Sequence, residues 1–398
     1  MTPDSAASSR PISRLRFQLA AFTLTRTVIN TGYRMVYPFL PAIARGLGVN
    51  LQVAALAITA RSSLGLLGPV LGSSADSRGR RVSMLAGLGL LASGLLLIGI
   101  WPTVPVLFIG MLFVGAGKIM FDSAMYAYVG DKIVYQQRGL AIALVEFGWS
   151  GAFLLGIPIA GWLIARGGWS SPFPWIALAS LACGILLWRI LPNDLVRAGP
   201  RVMLGAGLRS ILDHPSALAG LAVGFLASAA NESMNVVYGA WMEQSFGLPI
   251  AAIGAASAII GVSELGGEGL VAGFADRLGK RRAVMVGAVA SAISCLSLPI
   301  LGRTLPGALV GLFFFYITFE FTLVSSIPLM TEQLPGARAT LLSGNIAAHS
   351  GGRVVGALIG PPLFVMGMGA VGSIAAAFNL LALVALVLVV RERTVERT

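Results

Sequence analysis

Twelve titratable side chains interrupt otherwise apolar stretches of this chain: Arg26, Arg34, Arg61, Lys118, Asp122, Glu146, Glu232, Glu264, Glu268, Glu320, His349 and Arg353. Ionisable groups in hydrocarbon cost at least ~2.5–3.5 kcal/mol each, so residues of this kind mark binding sites, ion paths or mutual neutralisation. A carboxyl whose cationic neighbour comes and goes can load and release a proton, and Asp122, Glu232, Glu264 and Glu320 are the candidates for that work. Lys118 and Asp122 are four apart on one helix face, where they either neutralise each other or serve separate partners. Glu264 and Glu268 share the same spacing and repel when both are charged, unless one stays protonated or pairs with Arg353. Glu146 and Glu268 lie nearer the span ends and read as gate or latch residues. His349 has the intrinsic pKa of a switch, or it is a hydrogen-bonded packing residue. Arg34, in the outer third of its span, either lines the site or snorkels to the interface. Tyr37, Tyr126, Tyr128, Trp149, Tyr238, Trp241 and Tyr316 stack on a solute or anchor span ends at the interface. No Cys/His metal spacing, no phosphate-binding Gly-Lys-Ser/Thr loop and no G-x-S-x-G turn occurs, so neither an enzyme nor a cofactor or metal site is expected.

The elements that must hold these side chains follow from composition. Of 398 residues, 56% are hydrophobic and 11% charged, far from the roughly 25% charge of soluble domains. Spans of about 20 apolar residues are needed to cross a bilayer. Apolar blocks run at 17–41, 51–74, 82–100, 104–129, 138–165, 172–190, 215–243, 250–274, 283–301, 305–331, 338–366 and 369–390. An all-α membrane protein of twelve transmembrane helices is therefore expected, with a cytoplasmic tail at 1–16, a six-helix bundle at 17–190, a polar linker at 191–214, a second bundle at 215–390 and a tail at 391–398. The run after Arg10, Arg14 and Arg16 has no small-residue cleavage site and reads as a retained first span. Placing both termini and the linker in the cytoplasm puts twenty Lys/Arg inside, only Arg45, Arg166 and Arg303 outside, and five within spans, which accounts for all 28. The net charge of +12 is thus a topology signal, and nucleic-acid binding is not expected. Cys183 and Cys295 sit in apolar runs as small core residues.

The buried charge falls in spans 1, 2, 4, 5, 7, 8, 10 and 11 and misses spans 3, 6, 9 and 12. The first set should line a central cavity and the second should face lipid. By sign, the first half contributes Arg26, Arg34, Arg61 and Lys118 against Asp122 and Glu146; the second contributes Glu232, Glu264, Glu268 and Glu320 against Arg353. Such a cavity either holds a dipolar solute or closes on itself through ion pairs between the halves.

The two halves repeat at an offset near 200. Ala75-Asp76-Ser77-Arg78-Gly79-Arg80-Arg81 falls on Ala275-Asp276-Arg277-Leu278-Gly279-Lys280-Arg281, Arg138 on Arg338, and Gly156 on Gly356; one residue out of register, Asn30 and Tyr37 match Asn231 and Tyr238. At these residues the chain resembles the major facilitator superfamily, whose G-x-x-x-D-[RK]-x-G-[RK]-[RK] signature follows the second span with a weaker copy after the eighth. The stretch from Gly72 to Arg81 fits except at Ser77. The resemblance implies two pseudo-symmetric six-helix bundles rocking about a midplane cavity, and a cytoplasmic latch made of Gly72, Asp76, Arg78, Gly79, Arg80, Arg81, Asp276, Arg277, Gly279, Lys280 and Arg281. Gly148, Gly151, Gly156, Pro158 and Gly161 resemble the antiporter motif of the drug-efflux branch, although Ile157 interrupts its Gly-Pro pair.

From this reading the expected function is a secondary active transporter of the inner membrane, monomeric, exporting a small amphipathic or zwitterionic solute in exchange for protons. Proton-linked uptake of a charged nutrient, and a non-transporting sensor or assembly factor on the same fold, stand as alternatives. The expected cavity set is Arg26, Asn30, Arg34, Arg61, Lys118, Asp122, Glu146, Glu232, Asn235, Glu264, Glu268, Glu320, His349 and Arg353.

Overall fold

A computed structural model describes residues 9–68, 71, 79–192, 211–333 and 338–390. In a bilayer the backbone must satisfy its own hydrogen bonds, and the long apolar blocks do so as helices. In chain order these are α1 (Ser9–Arg34), α2 (Leu51–Ser63), α3 (Arg80–Ile100), α4 (Val104–Lys132), α5 (Gln137–Gly167), α6 (Pro172–Ile190), α7 (Pro215–Phe246), α8 (Ile250–Ala275), α9 (Lys280–Leu301), α10 (Leu305–Gln333), α11 (Arg338–Val365) and α12 (Met368–Leu388). Among the described residues nine helices are long and apolar enough to cross a membrane, and α2 makes a tenth when joined to the short helix Leu40–Gly46. The remaining two, α1 and α11, have 26 and 28 residues. They are less apolar because they carry Arg26, Arg34, His349 and Arg353 among several Ser, Thr and Asn.

The first span does not run through unbroken. α1 ends at Arg34, a turn follows over 35–39, and Leu40–Gly46 resumes with Pro41 in its first turn, where a missing N–H costs nothing. A 115° bend separates this segment from Leu51–Leu67. Gly48 supplies the left-handed φ of 67° at the reversal, and the Asn50 side chain caps α2 by accepting from the Val53 N–H at 2.8 Å. Leu40–Gly46 therefore completes the first span. α7 repeats the device, ending one helical stretch at Asn235 and restarting at Tyr238.

The duplication is visible in the backbone itself. Among the described residues the positive-φ positions are Gly48, Gly79, Gly168, Gly247, Gly279 and Gly367. They pair as Gly48 with Gly247, Gly79 with Gly279 and Gly168 with Gly367, at offsets of 199, 200 and 199. Helix crossings repeat too. α1 meets α5 at Gly148, where a Cβ would lie 2.6 Å from the Arg26 Cβ, and α7 meets α11 at Gly356, where it would lie 2.8 Å from the Glu232 Cβ. Small residues at these crossings let backbones approach to the distance that dispersion and hydrogen bonding need in lipid.

Within this frame α3, α6, α9 and α12 carry outward apolar side chains such as Ile100, Trp175, Trp188, Ile293, Ile300 and Leu388. The halves meet through α2 on α11 and α5 on α8. At the end opposite the linker they are sealed. Arg45 and Glu243 form a two-pronged ion pair at 2.8 and 2.7 Å, and Gly161 lies so close to Gly254 that a Cβ would meet the facing Cα at 3.2 Å. Toward the linker end the carboxylates of Asp122 and Glu146 keep 19% and 29% exposure, so the interior opens there. A bulky side chain at Gly161 should hold the sealed end apart. With cysteines at Arg45 and Glu243 we expect efficient cross-linking by a short bifunctional reagent, and a several-fold drop when Gly161→Leu is added; equal cross-linking would show that this contact does not govern closure.

Candidate functional site

Three groups of buried charge occupy the interior. The first lies wholly in the amino-terminal half, on α1, α4 and α5. Arg26 donates through Nη1 to Glu146 Oε1 at 2.6 Å and to the Tyr126 hydroxyl at 2.8 Å, while its Nε stands 3.7 Å from Asp122 Oδ1. Lys118 Nζ binds Asp122 Oδ2 at 2.5 Å, and the Tyr126 hydroxyl also donates to Glu146. Two cations thus meet two carboxylates, and a phenol ties the cluster together. Gly148 permits it by letting α5 close onto α1 beside Arg26.

The second group bridges the halves. Arg34 grips Glu264 with both prongs, Nη1 to Oε2 at 3.0 Å and Nη2 to Oε1, and also donates to the Trp149 carbonyl at 3.2 Å. The Trp149 indole N–H donates to Glu264 Oε1 at 3.2 Å. The guanidinium lies over the rings of Trp149 and Phe153, 3.9 and 4.1 Å from their centroids, so its flat faces are covered as well as its edges. Arg34 does not snorkel to an interface, because this pocket satisfies it at 5% exposure. Glu264 correspondingly does not turn to Arg353.

The third group also crosses the midline. Arg61 stacks on the Tyr33 ring at 3.6 Å, donates to the Tyr33 carbonyl, and reaches the Tyr37 hydroxyl at 2.8 Å. Tyr37 passes its own proton donation to Glu232 Oε1 at 2.7 Å. Glu232 accepts from Asn235 at 3.2 Å, and Asn235 accepts from Tyr316 at 2.6 Å. Arg353, on α11, lies within electrostatic reach of Tyr33 and Glu232.

Other expected residues stand apart from these groups. Glu320 is 6% exposed and has no hydrogen bond or ion pair among the described residues; Glu268 is half-buried and within its electrostatic reach. Gly267 gives Glu320 its place, since a Cβ there would lie 2.7 Å from the Glu320 Cβ. Asn30 donates to the Gly148 carbonyl at 3.3 Å and helps fasten α1 to α5. His349 Nδ1 sits 2.6 Å from Ser228 Oγ, inside the second half. Of the expected latch, Gly72, Asp76 and Arg78 and the Asp276 side chain lie outside the described residues. Arg80 binds Asp131 at 3.3 Å, Arg81 binds the Trp188 carbonyl and Arg281 binds the Val387 carbonyl at 2.8 Å, each contact within one half. Arg81 and Arg281 thereby supply donors to the last carbonyls of α6 and α12, the same contact in each copy.

Several aromatics lie in the interior instead of at an interface: Tyr37, Tyr126 and Trp149 hold cations and carboxylates there, and Tyr33, absent from the expected set, carries Arg61 on its ring. The signal was available in Tyr33 and Tyr37, which flank Arg34 where the helix passes into the turn over 35–39.

With the fold and these groups described, kinship can be stated. The sequence profile of the Major Facilitator Superfamily matches residues 22–228 and 220–398; the chain belongs to that superfamily. It is similar to the uncharacterized MFS-type transporter YceJ of Bacillus subtilis (strain 168), 24% identical over 340 residues, covering 83% of this chain and 85% of that one. A match to YwfA of the same organism, also an uncharacterized MFS-type transporter, is 29% identical over 148 residues and spans 36% of either chain. In three dimensions it resembles the inward-open xylose transporter XylE from E. coli, with TM-score 0.77, 18% identity, and coverage of 96% of this chain and 98% of that one. This is a multi-pass integral membrane protein of a transporter superfamily, not an enzyme.

Because Arg34 and Glu264 are both buried, removing either strands the other. Glu264→Ala should cost about 3–5 kcal/mol, read as a lower apparent Tm in detergent, and Arg34→Leu/Glu264→Leu should lose less than either single change. A double variant that loses the sum of the two single losses would mean the pair contributes nothing of its own.

Proposed function

We propose that this protein is a secondary active transporter working by alternating access, exporting a small amphipathic or zwitterionic solute in exchange for protons. Its working units are the bundles 17–190 and 215–390, with the linker end in the cytoplasm and the sealed Arg45–Glu243 end outside; the distribution of Lys and Arg supports that orientation. The arrangement favours rocking, because one end is closed by contacts between halves while interior carboxylates stay accessible at the other. Export is supported by the small residues of α5, which pack Gly148 on α1 and Gly161 on α8.

The observation that carries proton coupling is Glu320. A carboxylate buried with no hydrogen bond or ion pair among the described residues is expensive to ionise in a low-dielectric interior, and Glu320, with Arg34 only at longer range and Glu268 beside it nearer the open end, is retained for the exchange of a proton. Asp122 and Glu264 are less suited, since each already holds a cation at close range. Glu232 has only hydroxyl and amide partners and is the second candidate.

The test begins with ligand-induced thermal shifts across pH to find a solute, followed by flux in proteoliposomes with and without a pH gradient. Wild-type protein should move the solute against its gradient when a proton gradient is imposed. Glu320→Gln should abolish that while preserving solute exchange at equilibrium. Unchanged gradient-driven flux in Glu320→Gln, Glu232→Gln and Asp122→Asn would reject the assignment, and no flux under any condition would favour a sensor or assembly role.

A further inference from the structure

Charge does not balance evenly through the interior. In the first group Arg26 and Lys118 meet Asp122 and Glu146, and the Arg34–Glu264 bridge is likewise neutral. What remains is polarised. Arg61 and Arg353, from opposite halves, both come near Tyr33: Arg61 stacks on its ring, and Arg353 lies within electrostatic reach of Tyr33 and of Arg61 itself. Among the described residues Glu232 is the carboxylate that answers them, and it meets Arg61 through the Tyr37 hydroxyl instead of directly. Arg61 is 1% exposed, and its Nε has no hydrogen-bond partner. A buried guanidinium and a half-buried one thus share one carboxylate that does not form an ion pair with Arg61.

We propose that Arg61 and Arg353 form a binding site for an anionic group, a carboxylate carried by the solute, and that Glu232 is its displaceable internal substitute. Arginine suits this role because its planar fork binds carboxylates by two parallel hydrogen bonds. Tyr37 is the pivot. With the site empty it donates to Glu232; an incoming carboxylate takes over the guanidinium donors and frees Glu232, which keeps Asn235 as a partner. The two guanidiniums come from α2 and α11, which pack together across the midline, so one bound anion is held by both halves at once.

The opposite pole is linked to this site by a run of hydrogen bonds. Asn235 binds the Tyr316 hydroxyl, and Glu320 follows Tyr316 by one helical turn, a rise of about 6 Å. A solute with a carboxylate at one end and an ammonium at the other would place its cation toward Glu320 and Glu268. The inference rests on the transport reading for its solute, but the anion site can be tested without transport.

The experiment titrates acetate, and separately chloride, into the full-length protein in detergent, at constant ionic strength against methanesulfonate, which carries no carboxylate, and follows thermal unfolding. Acetate should stabilise the wild type saturably, and Arg353→Gln and Arg61→Lys should each weaken its apparent affinity at least tenfold. Glu232→Gln removes the internal competitor and should bind acetate several-fold more tightly, a gain that only a folded protein can show. Acetate affinity unchanged in Glu232→Gln, or undiminished in both arginine variants, overturns the proposal. Stabilisation by chloride but not acetate overturns the carboxylate assignment and leaves an inorganic-anion site. Acetate binding as expected in a protein that moves no solute would sink the transport reading alone; gradient-driven flux with no response to acetate would sink the anion site alone.

Discussion

No charged group can face hydrocarbon unanswered, and that constraint organises this protein from the inside. Each cation in a span has been brought against a carboxylate, a carbonyl or an aromatic face on a neighbouring helix, and those pairings determine which helices touch. Arg26 joins α1 to α4 and α5; Arg34 joins α1 to α8; Arg61 joins α2 to the turn that ends α1. Apolar packing alone would leave the helices free to slide, because lipid tails are as apolar as leucine. The polar contacts fix their register. Glycines at Gly148, Gly267 and Gly356 do the complementary work, bringing helices close enough for short side chains to meet.

The same pairings divide the interior by function. Contacts within the first half form a self-neutralised cluster that has no reason to change as the halves move. In the proposed cycle, contacts across the midline, Arg34 with Glu264 and Tyr37 with Glu232, must be remade or carried along as the halves move. The residues without a direct ionic partner, Glu320 above all, are those on which the proposed proton exchange rests.

Much of this was legible in the sequence and some was not, for definable reasons. Span number and the twofold repeat follow from hydrophobic length and from matching motifs, and the left-handed glycines fall at the same offset as Asp76 and Asp276 because turns constrain backbone more tightly than lipid-facing surface does. Depth was readable only approximately. Read as one straight run, the first span puts Arg34 near its edge; the chain instead breaks over 35–39, and Arg34 meets Glu264, about fifty residues into the second bundle. Partner choice across a midline depends on the rotation of each helix about its axis, which hydropathy does not record. Nor does a list of aromatics distinguish a tyrosine at a headgroup from one under a guanidinium: Tyr33 and Tyr37 show their role only when Arg61 is seen against them.

The closed end has one property the interior lacks. Arg45 keeps 58% of its side chain in contact with solvent, and Glu243 keeps 27%. An attraction of that kind weakens as dissolved electrolyte accumulates, since mobile ions screen exposed charges over about 8–10 Å at physiological strength. The midplane pairs, shielded by rings and helices, are largely indifferent to it. In the proposed alternating-access cycle, brine bathing that face would loosen this clasp while sparing the buried pairs, making the balance between the two orientations a function of the salinity on that one side.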